Sequence, residues 1–179
     1  MRKLIVIIFI FLTYLNSAEI NTAQLEIQAK IYPKLLTFVT NFDKKYPNSI
    51  VIAIVYSDEF ETEAEEFKSL VYKNFTDGIK NKKVELFLIP ENITTQSKIN
   101  IDAAYILSNS TTIKNTIAQL NKKGIVTMSG TDKALELGAL FGIKISERIQ
   151  LRLNKKTFQN GKYIFDQSLL RTVTIYEEN

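Results

Sequence analysis

The apolar positions of this chain change period several times along its length. In residues 22–46, Ile27, Ile31, Leu35, Phe38, Val39 and Phe42 recur at helical spacing, and Pro33 predicts a kink or break near Tyr32. Tyr46, Pro47, Asn48 and Ser49 mark a turn. Residues 50–56, IVIAIVY, then form an apolar, largely β-branched run with no polar alternation. A strand of that kind is covered on both faces, which is the habit of parallel sheets.

Ser57 and Asp58 close this strand and open a helix whose early turns carry Glu61, Glu63, Glu65 and Glu66, acids that suit the positive end of a helix dipole. Its buried stripe is Ala64, Phe67, Leu70, Val71 and Phe75. A basic connector, 80–83, leads into a second strand, 84–89, stopped by Pro90. Residues 92–100 are polar and read as loop. Residues 103–107 are a third strand ending in Ser108, Asn109 and Ser110; a helix through Ile113, Ile117 and Leu120 follows, then a fourth strand at 125–128. Strand and helix alternate throughout, as βαβ crossovers require. The pattern then shifts. Residues 137–142 are a tight apolar stretch, and Ile149, Leu151 and Leu153 alternate with Arg148, Gln150 and Arg152, which predicts a half-buried antiparallel strand. Residues 155–161 are polar, and 165–176 hold a last apolar segment. The expected fold is a three-layer α/β domain, its largely parallel sheet flanked by helices and ending in an antiparallel C-terminal edge.

The N-terminus adds a compartment to this picture. Arg2 and Lys3 precede an apolar run over residues 4–15, and Asn16, Ser17 and Ala18 supply a cleavage zone before Glu19. These are the parts of a secretory signal. The run is too short to span a bilayer, which takes roughly 20 apolar residues. Residues 1–18 are therefore expected to be a signal peptide and 19–179 a single periplasmic domain, with no stable membrane insertion after cleavage; the competing reading is an uncleaved N-terminal anchor, since Asn16 is a poor −3 residue for the peptidase. Losing Arg2 and Lys3 lowers the formal charge from +4 to +2, which offers no concentrated basic face for nucleic acid. The chain has no cysteine and no histidine. Disulfide staples are excluded, and the usual ligands of zinc, copper, haem and iron–sulfur sites are missing. No metal or other cofactor is expected. The commonest general base is also absent, and no nucleophile elbow or Ser-x-x-Lys motif occurs, so the expectation is a protein that is not an enzyme.

Several polar residues fall at predicted strand ends. With a parallel sheet, Ser57, Asp58, Ser108, Asn109, Ser129 and Gly130 all lie at carboxyl ends, the edge where open α/β sheets bind ligands. Turn chemistry places the same residue types there. Ser129, Gly130, Thr131 and Asp132 follow a strand and open a helix, so backbone N–H groups there either meet an anion or are simply capped by Ser129 or Thr131. The acids between Asp58 and Glu66 lack the spacing and the glycine of a calcium loop and read as a solvated helix start. Arg148 and Arg152, four apart, are expected on one face of the late strand.

Ordered blocks along the chain resemble the YfiR-like family of periplasmic regulatory proteins. They are the helix 25–38 (LEIQAKIYPKLLTF), the strand and turn 50–60 (IVIAIVYSDEF), 103–108 (AAYILS), 124–129 (GIVTMS), 138–143 (GALFGI), 151–154 (LRLN) and 168–170 (SLL). The chain departs from the family in lacking cysteines, a tryptophan–proline pair after the first helix, and the glycines usual in 132–137. The resemblance implies a periplasmic modulator that contacts, and represses, an inner-membrane signalling protein such as a diguanylate cyclase or a kinase. Self-association into a homodimer stays open. The alternative is a small solute-binding protein using the strand-end cleft, although two-lobed solute binders are normally longer.

Overall fold

The computed structural model describes residues 20–92 and 99–177. The expected signal peptide and its cleavage point after Ala18 lie outside the described residues, as does most of the 92–100 loop. Among the described residues no helix is long and apolar enough to cross a membrane.

Helix α1 (Thr22–Leu35) starts at Asn21, whose side chain accepts the Gln24 N–H at 2.8 Å. It does not break near Tyr32. Pro33 falls in the last turn, where its missing N–H removes a single helical bond, and the chain tightens into a 3₁₀ turn, Leu36–Phe38. The interruption comes later, at Asn41, which takes the left-handed conformation (φ 59°) before a second short helix, α2 (Phe42–Lys45). The apolar period of residues 22–46 therefore belongs to two helices and the turn between them.

Strand β1 (Ser49–Tyr56) is central and pairs in parallel with β2 (Lys83–Pro90) on one side and β3 (Ala103–Leu107) on the other. Ile50, Ile52, Ile54 and Tyr56 face the core shared with α1 and with Phe67 and Val71 of α3 (Glu61–Asn74). Ala53 and Val55 point the other way, into a second core with Ile113, Ile117 and Leu120 of α4 (Ile113–Lys122). Two covered faces account for the unbroken apolar run, and they make the three layers expected from it.

The sheet order is β2-β1-β3-β4-β5-β6-β7. Strand β4 (Val126–Ser129) continues the parallel series, and a short helix, α5 (Asp132–Glu136), follows it. Strand β5 (Phe141–Ile145) comes out of the tight apolar stretch at 137–142, which the periodicity did not resolve as a strand. Its partner β6 (Ile149–Asn154) runs antiparallel, from Phe141↔Leu153 to Ile145↔Ile149. The polar segment after it is helical, α6 (Lys155–Asn160), capped by Asn154 through the Thr157 N–H at 3.0 Å. Helix α7 (Gln167–Leu170) leads to the edge strand β7 (Thr174–Tyr176), parallel to β6. The expected antiparallel C-terminal edge is thus the β6–β7 pair set against β5. Arg148 lies outside β6 and is exposed, so it does not share a strand face with Arg152. Arg152 lies 3.8 Å from Asp132, with its guanidinium over the Tyr176 ring.

Candidate functional site

The order of strands decides where a crevice opens. From β1 the chain crosses through α3 to β2 on one side, and from β3 it crosses through α4 to β4 on the other. The helices after β1 and β3 thus leave toward opposite faces of the sheet. In an open α/β sheet that divergence is the topological switch point, and ligands sit outside the strand ends there.

An open pocket of about 620 Å³ occupies this position. Its walls are Ser57, Asp58 and Glu59 after β1, Glu91 and Asn92 after β2, and Asn109 and Ser110 after β3. The turns are tied together by their own polar groups. Ser57 N–H donates to the Leu107 carbonyl at 3.0 Å, and Glu91 N–H to the Tyr56 carbonyl at 2.8 Å. Ser108, buried just behind the rim, donates its hydroxyl to Glu91 Oε2 at 2.6 Å and accepts the Ser110 N–H at 3.1 Å. The Ser57 hydroxyl reaches Glu59 Oε1 at 3.4 Å. Three carboxylates line the pocket, and among the described residues no lysine or arginine does. Such a wall attracts an ammonium or a set of hydroxyls and opposes an anion. Among the described residues no group of three or more acids is placed to hold a metal ion.

Of the residues picked out in the sequence, Ser57, Asp58 and Asn109 therefore meet in one pocket, and Ser108 braces it from behind. Ser129, Gly130 and Thr131 lie elsewhere. Thr131 caps α5 by accepting the Ala134 N–H at 3.0 Å, and its hydroxyl donates to the Ser108 carbonyl at 2.9 Å. The Ser129 hydroxyl donates to the Thr131 carbonyl. Gly130 N–H bonds the Ile106 carbonyl at 2.8 Å, and its own carbonyl accepts Gln28 Nε2 at 3.2 Å. Gly130 serves close packing, since a Cβ there would lie 2.6 Å from Leu107 and 2.9 Å from the Ile106 oxygen. Helix α1 covers this end of β4. Tyr32 donates to the Ser129 carbonyl at 2.6 Å, and Tyr105, stacked on Phe67 with ring centroids 3.7 Å apart, donates to Gln28. Burial holds both phenols above the ordinary tyrosine range.

Glu59, Glu91, Asn92 and Ser110 are pocket residues that the sequence reading did not select. The signal for two of them was present: Pro90 stops the second strand, so Glu91 and Asn92 stand at a parallel strand's carboxyl end just as Ser57 does.

No family model and no curated protein matches this chain. Solved structures share its fold. A crystal structure of an ABC domain in complex with L-Trp from Streptococcus pneumoniae superposes with a TM-score of 0.55 at 18% identity, covering 82% of this chain and 61% of that one. A conserved domain protein from Vibrio cholerae gives a TM-score of 0.55 at 14% identity, covering 86% and 60%. The chain thus spans about three fifths of the length of these neighbours. At such identities the likeness establishes the α/β fold and nothing finer.

Proposed function

We propose that this domain is a small-solute-binding module that takes a polar ligand bearing an ammonium group or several hydroxyls at the β1/β3 switch point. The observation that carries the reading is the open pocket at the diverging crossovers, whose described lining supplies hydroxyls, amides and three carboxylates. Its volume falls within the range of small-molecule sites, roughly 300–1,000 Å³. The fold neighbour solved with L-Trp adds support, since an amino acid carries the ammonium that this wall favours. Repression of a membrane diguanylate cyclase or kinase rests on the family resemblance alone, and no surface described above favours it over ligand binding.

The test is a thermal-shift screen of the purified protein with amino acids (L-Trp among them), polyamines, sugars, nucleotides and phosphate. An ammonium- or hydroxyl-bearing compound is expected to raise the melting temperature with the logarithm of its concentration. Asp58→Asn, at an exposed position with no hydrogen bond to lose, is expected to remove the shift produced by a cation. No shift from any compound, or a cation shift that Asp58→Asn leaves intact, would overturn the assignment.

A further inference from the structure

The two edges of the sheet are built differently. At β2, Tyr72 of α3 accepts the Leu86 N–H at 3.2 Å, Lys83 opens the strand with a charge, and Pro90 closes it without an N–H. Such features keep an edge from pairing with another chain. At the other edge, residues 173–176, VTIY, carry neither a proline nor a charge.

The ladder fixes which groups face outward at β7. The Asn154 N–H bonds the Leu140 carbonyl at 2.9 Å, on the β5 side. Its neighbour Leu153 therefore bonds toward β7, to the residues on either side of its own partner, Ile175. That directs the Ile175 N–H and carbonyl out of the sheet. The Ile175 side chain ends a cross-strand row, Ile54, Tyr105, Met128, Phe141 and Leu153, whose other members are all buried. Ile175 itself is 51% exposed.

We propose that β7 is the contact surface for a second copy of this chain, paired antiparallel across a two-fold axis at Thr174. Charge complementarity selects this occupant. Arg171, in the turn before β7, and Glu177, just after it, are both exposed and stand at opposite ends of the strand. A two-fold sets like strands antiparallel, so each Arg171 comes to the end where Glu177 of the second copy stands. Lys155 holds Glu177 from the same protomer at 2.7 Å, which makes a small ionic cluster at each end of the ladder. In that register Ile175 lies opposite Val173 of the second copy, a half-buried residue packed against the same core, and the apolar row continues across the junction. The short ladder makes the dimer a weak one that dissociates on dilution. This surface does not depend on the ligand proposed above.

The experiment is sedimentation velocity on the purified protein from micromolar to millimolar concentration, with hydrogen exchange at the Ile175 amide. A monomer–dimer equilibrium is expected, with exchange of that amide slowing as concentration rises. Arg171→Glu sets like charges together at both ends and should weaken the dimer about tenfold or more. The full exchange Lys155→Glu, Arg171→Glu, Glu177→Arg should restore it. Ile175→Asp, at a half-exposed position, should leave a folded monomer, with circular dichroism verifying the fold. A monomer at every concentration overturns the proposal, as does a dimer that Arg171→Glu and Ile175→Asp leave intact. So does an Ile175 amide equally protected at all concentrations, which would assign its cover to residues of its own chain.

Discussion

Two polar clusters stand at the carboxyl end of the same sheet, built from nearly the same residue types. After β1 and β3 come Ser57, Asp58, Ser108 and Asn109; after β4 come Ser129, Gly130 and Thr131. The first opens into a pocket and the second is closed, its hydroxyls spent on Ser108, Ala134 and Thr131 and its carbonyls on Gln28 and Tyr32. Residue chemistry does not distinguish them. The direction of the crossovers does: helices diverge beside β1 and β3, whereas α1 lies over the end of β4. A strand-end serine therefore lines an open pocket or braces a closed turn according to which helix passes over it.

The comparison predicts that substitutions in the closed cluster cost stability and that those in the open one change binding. The largest effect is expected for Tyr105→Ala, which removes a ring with no exposed surface, its stacking on Phe67 and its bond to Gln28. Chemical denaturation should show a loss of about 3–5 kcal/mol, in line with truncation of buried aromatics. A loss under about 1 kcal/mol would mean that α1 does not hold the closed end.

Thr131→Ala comes next. It deletes the cap on Ala134 and the bond to the Ser108 carbonyl, at a cost of about 1–2 kcal/mol by the same measurement. An unchanged denaturation midpoint would remove the capping role.

The amino end of the sheet supplies a third, pH-dependent contrast. Asp102 is half-buried, and burial raises its carboxyl above the ordinary aspartate range, against the opposing pull of the Val51 N–H at 2.9 Å and of Lys45. The folded protein thus holds this proton more tightly than the unfolded chain does. Stability from this group is greatest below the unfolded aspartate value and declines as pH rises through the raised folded value. Asp102→Asn, whose side-chain oxygen still accepts the Val51 N–H, should flatten that part of the pH profile. A parallel profile for the variant would place the pH dependence elsewhere.

The smallest effect on stability is expected for Asp58→Asn in the open cluster, within about 0.5 kcal/mol of the parent. A loss of several kcal/mol there would make the two clusters alike and undo the contrast.

The central strands were legible because burial on both faces leaves an unbroken apolar run, as in 50–56; strand 149–154 was legible from its apolar–polar alternation, although its burial runs from exposed Ile149 to buried Leu153 and Asn154 instead of alternating. The C-terminal third was harder. Strand β5 carries Gly142 and is buried only as far as Ile143, so the stretch 141–145 has neither a clear period nor length. The last turn of α1 tolerated a proline that periodicity treats as a breaker. At the site, strand ends could be named from sequence, and Ser57, Asp58 and Asn109 line one pocket. Which strand end stays open depends on where α1 docks, and that contact joins residues about a hundred positions apart, beyond the reach of any local pattern.

That long-range contact also orders events in time. Tyr32 meets Ser129 across 97 residues, and Gln28 meets Gly130 across 102. Helix α1 cannot complete its docking until β4 has been made and paired. Closing so large a loop is slow compared with local helix formation. Until then Leu25, Tyr32 and Leu36, all without exposed surface in the finished fold, have only part of the core they pack against. The nascent chain therefore carries these apolar side chains incompletely covered while the first strands are made, and the docking of α1 onto the end of β4 waits on the arrival of residue 130.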